Sequence, residues 1–467
     1  MTTSKDPIFS MTRRQSSRWC SRLQRAFFML ALVGLLSVFA VGARAGVFNP
    51  ETFSLANGMM VVVVPNHRVP VVTHMVWYKV GSADEGEGES GIAHFLEHLM
   101  FKGTRKRAPG EFSKILARNG GRENAFTSTD YTAYHQTIAV DRLEMVMEME
   151  ADRMTNLVLD DRAVETEKQV VLEERRQRTD SNPSAVLQEQ INATLFLNYP
   201  YRLPVIGWEH EIRALNREAV LKFYKRWYAP NNAVLVVAGD ITGAKLKPLA
   251  EKYYGAIPAA PAIARKRPTE PPQRAARRLV YRDARVRQPS WSRTYLAPSL
   301  KAGDTRHAYP LEVLSDILGG AAGRLYLALV VDHKTAISAG SSYAADDLGP
   351  GRFVLYASPQ PGVSMDKLEA GLEAEIARLL TDGVTESEVT RAKRRLRAQA
   401  VYARDSVRTG ARLLGAALAS GLAIDDIEKW PERIGAVTAQ QINDAARAVF
   451  QDNRSVTALL LQQPTKK

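Results

Sequence analysis

The feature that most constrains the fold of this chain is an internal repeat, because one structural unit is written twice along the sequence. Residues 157–171 (LVLDDRAVETEKQVV) resemble residues 379–396 (LLTDGVTESEVTRAKRRL), and each pattern predicts a helix end, an acidic turn and a new charged helix. Residues 223–240 (FYKRWYAPNNAVLVVAGD) resemble residues 445–462 (AARAVFQDNRSVTALLLQ), and each predicts a helix that leads into an apolar strand. The repeat therefore predicts two similar lobes that contain both helices and strands.

A proline-rich stretch separates the two copies. Residues 258–275 contain five prolines mixed with Arg and Lys and show no apolar period, which is typical of an interdomain linker. We therefore expect an N-terminal lobe at 46–257 and a homologous C-terminal lobe at 276–467. Strand–turn–strand patterns outnumber β-α-β alternation, so the sequence predicts an α+β fold of two α/β lobes with mixed or antiparallel sheets flanked by helices.

The first 45 residues have the pattern of a secretory signal peptide. Five arginines precede an apolar run at 26–42, and Ala43 and Ala45 are small residues at the positions that a signal peptidase reads. We expect cleavage after Ala45 and a periplasmic protein. The run of 17 residues is at the short limit for crossing a bilayer, so an uncleaved membrane anchor is the alternative. The only cysteine, Cys20, lies in this segment, so His and carboxylate side chains must hold any metal in the mature chain.

The charge of the mature chain argues against a nucleic-acid partner. The full sequence has a formal net charge of +13, but residues 1–45 carry seven Lys and Arg and one Asp, which leaves only +7 for the remainder. No stripe of basic residues interleaved with aromatic ones appears in the sequence, as a nucleic-acid groove would require. The remaining positive charge is that of a mildly basic surface.

The strongest chemical signal is the sequence GIAHFLEH at residues 91–98. On a helix, His94 and His98 lie one turn apart on one face, close enough for both imidazoles to bind one tetrahedral ion. Glu97 lies beside them, where a carboxylate can take a proton from a metal-activated water without being a ligand itself. Two histidines at this spacing also occur on ordinary helices, and Glu97 between them favours a metal site.

A third ligand is available on a later predicted helix, from Ala163 onward. This helix carries four carboxylates: Glu165, Glu167, Glu173 and Glu174. Because Glu167 and Glu174 are seven residues apart, they share a helix face to within about 20°. One of them could bind the metal while the other orients a ligand. The alternative is a solvated acidic face paired with the neighbouring Lys and Arg residues.

Three segments together resemble a known family. The sequences HFLEHLMFKGT (94–104), GGRENAFTSTDYTAYH (120–135) and EKQVVLEE (167–174) resemble the inverted-zincin peptidases of the pitrilysin and insulin-degrading-enzyme family, which carry the motif HxxEH. The resemblance covers nearly the whole mature chain and is closest to the short bacterial, mitochondrial-processing-peptidase-like branch. It implies half of a clamshell, with a metal site in the first lobe only.

The resemblance also implies a function and a role for each residue. The implied activity is a zinc metalloendopeptidase that binds one Zn²⁺ per chain and hydrolyses peptides or unfolded polypeptide segments. The implied ligands are His94, His98 and Glu174, with Glu97 as the catalytic general base and Glu167 as a carboxylate behind the ligands. The implied substrate-binding residues form an exposed edge strand that pairs with the peptide main chain: Asn124, Ala125, Phe126 and Thr127.

One expected part of the family's catalytic machinery is missing from the second half. Family members that work alone carry an Arg and a Tyr seven residues apart that reach the substrate, and alignment on the Gly-rich turn places Val330 and Ile337 at these positions. Neither side chain can donate a hydrogen bond. A shifted alignment would offer Arg324, Tyr326 or Tyr343 instead. We therefore expect a heterodimer with a related subunit, without a zinc site, that supplies Arg and Tyr.

A different class of function is also compatible with this fold. Relatives serve as catalytically idle scaffolds of respiratory complexes, and a peptide-binding subunit of a larger complex is a further alternative. Such relatives generally lose parts of the zinc motif, whereas His94, Glu97, His98 and Glu174 are all present here. The complete motif favours the peptidase.

Overall fold

The computed structural model describes residues 46–463, so the predicted signal peptide lies outside the described residues. We call residues 46–257 the first half and residues 276–463 the second half. The strands of the first half are β1 (Glu51–Ser54), β2 (Met60–Pro65), β3 (Val71–Tyr78), β4 (Arg122–Thr127), β5 (Thr132–Ala139) and β6 (Ala233–Gly239). Its helices are α1 (Ile92–Leu99), α2 (Glu111–Arg118), α3 (Leu143–Asn156), α4 (Asp161–Arg175), α5 (Pro183–Leu195), α6 (Glu209–Ala214), α7 (Arg217–Trp227) and α8 (Gly243–Tyr253).

The first half forms one six-stranded sheet, in the order β1-β2-β6-β3-β5-β4. The strands β2 and β6 are parallel, and every other neighbouring pair is antiparallel. The four valines of β2 are all buried, and they contribute alternately to two apolar clusters on opposite faces of the sheet. A strand with both faces covered has no need of polar residues, which explains this continuous apolar run. The strand β4 lies at the edge of the sheet.

The second half contains the strands β7 (Arg277–Asp283), β8 (Ser290–Ala297), β9 (Ala336–Tyr343), β10 (Gly351–Pro359) and β11 (Ser455–Gln462). Its helices are α9 (Ala308–Leu318), α10 (Arg324–Tyr326), α11 (Met365–Asp382), α12 (Glu386–Ala403), α13 (Val407–Ala419), α14 (Ile424–Glu428), α15 (Trp430–Ala436) and α16 (Ala439–Val449). The strands form a second sheet in the order β7-β11-β8-β10-β9, in which β7 and β11 are parallel and the other neighbours are antiparallel.

The two sheets share one topology, which confirms the predicted repeat and fold class. The order β2-β6-β3-β5-β4 of the first sheet corresponds to β7-β11-β8-β10-β9 of the second, and each contains a single parallel pair at the same place. The strand β1 is an addition to the first sheet. The repeated helices α4 and α12 also begin alike, since the side chains of Asp160 and Thr385 accept hydrogen bonds from backbone N–H groups of the first turn.

The two halves exchange one helix each. Helix α13 of the second half covers the first sheet, where its Ala411, Leu414 and Leu418 join a buried cluster with Trp77 and Val236. Conversely, helix α5 of the first half packs on β11, β7 and β8 of the second sheet. The residues from Val47 onward therefore form one compact unit. The domain boundaries at 257 and 276 stay a prediction. Helices α5 and α13 each pack against the half on the other side of these boundaries.

The proline-rich segment 258–275 contains neither helix nor strand, but it is held in place. The guanidinium of Arg267 forms ion pairs with the buried carboxylates of Asp84 and Asp130. The carboxylate of Glu270 accepts hydrogen bonds from the backbone N–H groups of three consecutive residues, 197–199. Within residues 46–463, no helix is both long and apolar enough to cross a membrane.

Candidate metal centre

Helix α1 carries the two histidines and is fixed at its N-terminus by a buried carboxylate. The two oxygens of Glu85 accept hydrogen bonds of 2.9 Å from the backbone N–H groups of Gly91 and Ala93. Hydrogen-bond acceptors at this end of a helix stabilise it, because the first N–H groups have no partner inside the helix. Gly91 has a φ of +89°, and a Cβ there would collide with the backbone of Ile206 and Gly207. The start of α1 is therefore determined by a close backbone approach that only glycine allows.

The structure brings His94, His98 and Glu174 together. Helix α1 packs against α4, and one ligand atom from each of the three side chains lies within 4.8 Å of the other two. The Oε2 atom of Glu174 is 3.6 Å from Nε2 of His94 and 3.2 Å from Nε2 of His98. Residues separated by 76 positions in the chain thus meet at one point, as the family resemblance implies.

These distances fit a tetrahedral metal ion. Zinc bonds of 2.0–2.1 Å at tetrahedral angles place neighbouring ligand atoms about 3.3 Å apart. The Oε2 atom of Glu174 is buried and accepts no hydrogen bond from the described residues. This oxygen faces both imidazoles, and a cation between the three groups would bind all of them. Two imidazoles with one carboxylate form a donor set that suits zinc.

A second set of charges holds the ligands in place. The Nδ1 atom of His98 is 2.9 Å from Oε1 of Glu167, whose other oxygen forms an ion pair with Lys102. The Oε1 atom of Glu174 is 2.8 Å from Nη1 of Arg178, in the π-helical turn (Arg176–Asp180) that continues α4. The family resemblance implied Glu167 behind the ligands, whereas Lys102 and Arg178 were not predicted from the sequence. The spacing of four residues between Glu174 and Arg178 was the available signal.

The two imidazoles differ in their electrostatic environment. Burial lowers the pKa of His98, but the hydrogen bond to Glu167 and the nearby Glu174 outweigh it and raise the pKa to about 9. Burial and the neighbouring charge of His98 lower the pKa of His94. The metal-free protein therefore keeps a protonated His98 and a neutral His94 at pH 7. Since a metal needs both imidazoles neutral, the His98 proton must leave when an ion binds.

Glu97 lies next to this centre on α1, and its carboxylate contacts Thr127 instead of the three candidate ligands. Its side chain is buried, and the hydroxyl of Thr127 donates a hydrogen bond of 2.6 Å to Oε2. Burial raises the pKa of Glu97, and the Thr127 hydrogen bond opposes that rise. A carboxylate with a raised pKa is a better proton acceptor at neutral pH than an ordinary surface carboxylate. The other two acids of α4 are elsewhere: Glu165 pairs with Lys168, and Glu173 pairs with Arg176.

Comparison with known proteins decides the family. The zinc protease PqqE of Helicobacter pylori is 31% identical over 446 residues, which cover 93% of this chain and 99% of that protein. The chain belongs to the peptidase M16 family. The family profile described as "Insulinase (Peptidase family M16)" matches residues 60–208, and the profile described as "Peptidase M16 inactive domain" matches residues 214–396.

Two further relatives support the predicted branch and fold of this M16 chain. The probable mitochondrial-processing peptidase subunit beta of Schizosaccharomyces pombe is 27% identical, over 91% of this chain and 94% of that protein. The crystal structure of a protease from Helicobacter pylori superposes with a TM-score of 0.82 at 30% identity, covering 89% of this chain and all of that chain. The pitrilysin-family resemblance and the clamshell-half fold are thereby confirmed.

The predicted substrate strand of this M16 chain lies at the edge of the first sheet. Residues 124–127 belong to β4, which pairs with β5 and has no strand on its other side within residues 46–463. Thr127 faces Glu97, whereas Phe126 faces the opposite side of the sheet and packs edge-on against Trp77. The outer edge of β4 therefore has backbone groups available next to the metal centre. The role of these residues in binding substrate stays a prediction.

The second half of this M16 chain lacks an equivalent centre. Counted from the glycine that precedes each helix, His94, Glu97 and His98 correspond to Tyr326, Leu329 and Val330 in α10 and the π-helical turn after it, Leu327–Asp332. Among residues 46–463, His94, His98 and Glu174 are the only group of His, Cys, Asp and Glu side chains arranged to hold a metal.

Two of the three alternative donors of the second half, Arg324 and Tyr343, are already engaged. The guanidinium of Arg324 forms two hydrogen bonds with the carboxylate of Glu388, of 3.0 and 2.8 Å. The hydroxyl of Tyr343 donates a hydrogen bond of 2.5 Å to the backbone oxygen of Pro298. Ile337 is exposed at the start of β9 and has no donor group. The prediction that Arg and Tyr come from elsewhere is compatible with these contacts.

Proposed function

We propose that this chain is a secreted zinc metalloendopeptidase that hydrolyses peptides or unfolded segments of polypeptides. The observation that carries the proposal is the placement of Glu97. Its buried carboxylate lies one residue before His98 on the helix that bears both imidazoles, and Glu174 completes the ligand set from α4. A proton acceptor beside three convergent ligands is the arrangement of a metal-assisted hydrolase.

Each side chain has its own part in the proposed reaction. His94, His98 and Glu174 would hold the zinc, which when bound would supply Lewis acidity towards the scissile carbonyl and water. Glu97 takes the proton of the attacking water and delivers it to the leaving amine. Thr127 holds the carboxylate of Glu97 through its hydroxyl, so that the second oxygen of the carboxylate is the one free to accept the proton. Glu167 orients His98.

The open edge of β4 supports the substrate class. A peptide that adds to β4 as a further strand forms main-chain hydrogen bonds, which do not depend on its side chains. Because Thr127 at the end of β4 contacts Glu97, a peptide in this position passes beside the metal centre. Only an extended chain can pair in this way, so folded proteins are poor substrates and unfolded segments are good ones.

We further propose that a related subunit completes the enzyme. The second half places Val330 and Ile337 where the family carries Arg and Tyr, and both Arg324 and Tyr343 are hydrogen-bonded within the second half. The name of the yeast relative describes it as a subunit of a peptidase, which supports a two-subunit enzyme here. The partner would supply the donors that stabilise negative charge on the carbonyl oxygen of the substrate.

Residues 1–45 support a periplasmic location. The arginines, the apolar run and the Ala43–Arg44–Ala45 site together form a signal-peptide pattern. The location is tested by N-terminal sequencing of the protein from the periplasmic fraction, which should begin at Gly46. A protein that begins at Met1 and stays with the membrane fraction would instead favour the uncleaved anchor.

The function is tested by isolating the tagged chain with its partner from its own host. We expect the complex to cleave an unfolded polypeptide such as reduced casein, to lose activity on chelation and to regain it with one Zn²⁺ per chain. The match of residues 214–396 to an inactive domain leaves a scaffold or peptide-binding subunit as the second candidate. A zinc-loaded complex without any peptidase activity would favour that candidate and contradict the enzyme.

A further inference from the structure

Two arginines on the exchanged helix α13 have no acidic partner. Arg408 and Arg412 lie one turn apart on its surface, and both are exposed. Neither forms an ion pair with any carboxylate among residues 46–463, although the chain pairs many of its other arginines, such as Arg68 with the nearby Asp405. Two unneutralised guanidinium groups in one place repel each other, which favours an anionic group beside them.

Both guanidinium groups extend across the sheet towards its edge strand. Nη2 of Arg408 is 3.3 Å from Nε2 of His135 on β5, and the central carbon of the Arg412 guanidinium is 5.4 Å from the ring centroid of Phe126 on β4. His135 is paired with Asn124 in the register of β4 and β5. The two arginines therefore lie next to positions 124 and 126 of the edge strand, which share one face of the sheet.

The residues that contact the arginines do not neutralise them. The pKa of His135 is lowered to about 4 by its burial and by the charges of Arg408 and Arg412, so the imidazole is neutral above pH 5. It accepts a hydrogen bond from Arg408 without carrying a compensating charge. The ring of Phe126 attracts the Arg412 guanidinium through its π face and leaves the N–H donors of that group free. Two positive charges thus remain on this face of the sheet, one at the edge strand β4 and one at its neighbour β5.

A peptide strand on this edge would present alternate side chains to these charges. Successive side chains of a strand point to opposite faces of a sheet, and a strand added to β4 lies about 4.8 Å beyond it. Side chains on the Thr127 face point to the metal centre. Those on the Phe126 face point to the side of the sheet that carries the two arginines, where Arg412 contacts β4 and Arg408 contacts β5.

We propose that Arg408 and Arg412 select peptide substrates that carry Asp or Glu at alternate positions of the segment paired with β4. The inference rests on the proposed function, because it requires the substrate to bind along this edge. Planar guanidinium groups match carboxylates in bidentate pairs, which makes arginine the suitable residue for this selection. At exposed positions each such pair contributes up to about a fivefold preference, and added salt reduces it.

The test compares peptides that differ by one charge. An unstructured host peptide is scanned with Glu, Gln and Lys at each position, and Kd is measured by fluorescence anisotropy with the zinc-loaded Glu97→Gln chain, which does not cleave. Cleavage rates are measured in parallel with the wild-type complex. We expect Glu to bind about two- to fivefold more tightly than Gln at two positions separated by one residue, and less so at high salt.

Variants assign the preference to the two arginines. Arg408→Gln with Arg412→Gln should abolish the Glu preference, Arg408→Lys with Arg412→Lys should keep part of it, and Arg408→Glu with Arg412→Glu should favour Lys peptides instead. The control is Arg394→Gln, which removes one exposed positive charge from α12. An unchanged Glu preference in the double Gln variant, or the same loss in the control, would overturn the inference.

The two parts of the experiment separate this inference from the proposed function. Zinc-dependent cleavage without any charge preference would leave the peptidase standing and reject the selection by arginines. A charge preference in Kd that depends on Arg408 and Arg412, together with no chelator-sensitive cleavage, would support the recognition of acidic peptides and reject the peptidase.

Discussion

Two carboxylates of the metal centre have opposite pKa shifts, and this difference separates their roles. Burial raises the pKa of Glu97, which makes it a stronger base, whereas contact with His98 lowers the pKa of Glu174 and keeps it ionised. A ligand must be an anion under all working conditions, while a general base must take up and release a proton. Glu97 and Glu174 are therefore not interchangeable, although both lie beside the same histidines.

Replacing Glu97 with Gln should remove catalysis and leave metal binding intact. The amide keeps the size of the side chain and can still contact Thr127, but it cannot accept the proton of water. We expect the hydrolysis rate to fall by a factor of about 10² to 10⁴ while zinc content stays at one per chain. Peptide hydrolysis and atomic absorption measure the two quantities. Glu165→Gln, on the exposed face of α4, serves as the matched control, and a Glu97→Gln enzyme with a rate near wild type would contradict the role.

Zinc binding should depend on pH through His98. With a pKa of about 9, His98 is protonated in the metal-free protein below that pH, so apparent zinc affinity should rise with pH until about 9. Calorimetry in buffers of different ionisation enthalpy should show the release of about one proton per zinc at pH 8. Glu167→Gln removes the carboxylate that raises this pKa and should reduce the release, whereas Glu165→Gln should not. A release that is independent of Glu167 would contradict this account.

The raised pKa of His98 also makes the stability of the metal-free protein depend on pH. Because the pKa of His98 is raised above its unfolded value of about 6.5, the stabilisation is fully present below that value and is lost as pH rises through about 9. The melting temperature of the chelated protein should therefore fall between pH 6.5 and 9. A chelated His98→Gln variant should lack this part of the fall, and an identical pH profile in the two proteins would count against the assignment.

At the residue scale, the sequence predicts which side chains lie together on one helix. It does not predict contacts that depend on how two helices pack. The spacing of His94, Glu97 and His98 determines their common face, so their proximity follows from helix geometry alone. The choice among the acids of α4 depends on the rotation of that helix against α1, which the residues themselves do not reveal. The family resemblance selected Glu174, and the structure places this residue, rather than Glu173, against the imidazoles.

At the scale of elements, the exchange of helices α5 and α13 joins the two halves. Helix α13 approaches the first sheet closely because it carries small residues, and Gly415 lies against the buried indole of Trp77. Any Cβ at this position would overlap the ring. The glycine therefore sets the distance between helix and sheet, at the cost of a lower helix propensity.

Gly415→Ala should destabilise the protein. The added methyl group requires Trp77 or the helix to move in a densely packed region, which typically costs about 1–3 kcal/mol. Urea denaturation of the zinc-loaded protein measures the change. Gly435 in α15 provides the control, because a Cβ there meets no atom within 4 Å and alanine should leave stability unchanged or slightly higher. Equal stability of the two variants would show that α13 does not depend on this contact.

The sequence predicts the elements well and their exchange not at all. Strand–turn–strand patterns indicate hairpins such as β1–β2 and β4–β5, because these signals are local. An apolar helix such as α13 shows only that one face must be buried, since any apolar surface would satisfy it. Nothing local in the sequence indicates that this surface belongs to the other half of the chain.

At the scale of the whole molecule, residues 46–463 form a duplicated fold with a single candidate metal centre. The second half repeats the sheet and the two helices that carry the candidate ligands, but Tyr326 and Val330 stand where the first half has His94 and His98. The second half thus has the fold of the first half without its metal-binding side chains. The proposed enzyme needs donors opposite the zinc, and we propose that a second polypeptide supplies them.

The chain should therefore bind zinc alone but work only as part of a complex. Purified by itself, it should bind one Zn²⁺ and hydrolyse peptides poorly, and addition of the co-purifying subunit should raise the rate by at least about a hundredfold, the size of the loss when one such donor is removed. Changing the Arg or Tyr of that subunit should abolish the gain. Full activity of the purified monomer would contradict the heterodimer and leave the zinc site untouched.

The central claim is that three side chains from two helices hold one zinc ion beside Glu97. Anomalous diffraction at the zinc absorption edge from crystals of the zinc-loaded Glu97→Gln protein tests it most directly. The account predicts one strong peak per chain, about 2.0–2.2 Å from a nitrogen of His94, a nitrogen of His98 and an oxygen of Glu174. A peak at other residues, or no peak in protein that contains stoichiometric zinc, would contradict it.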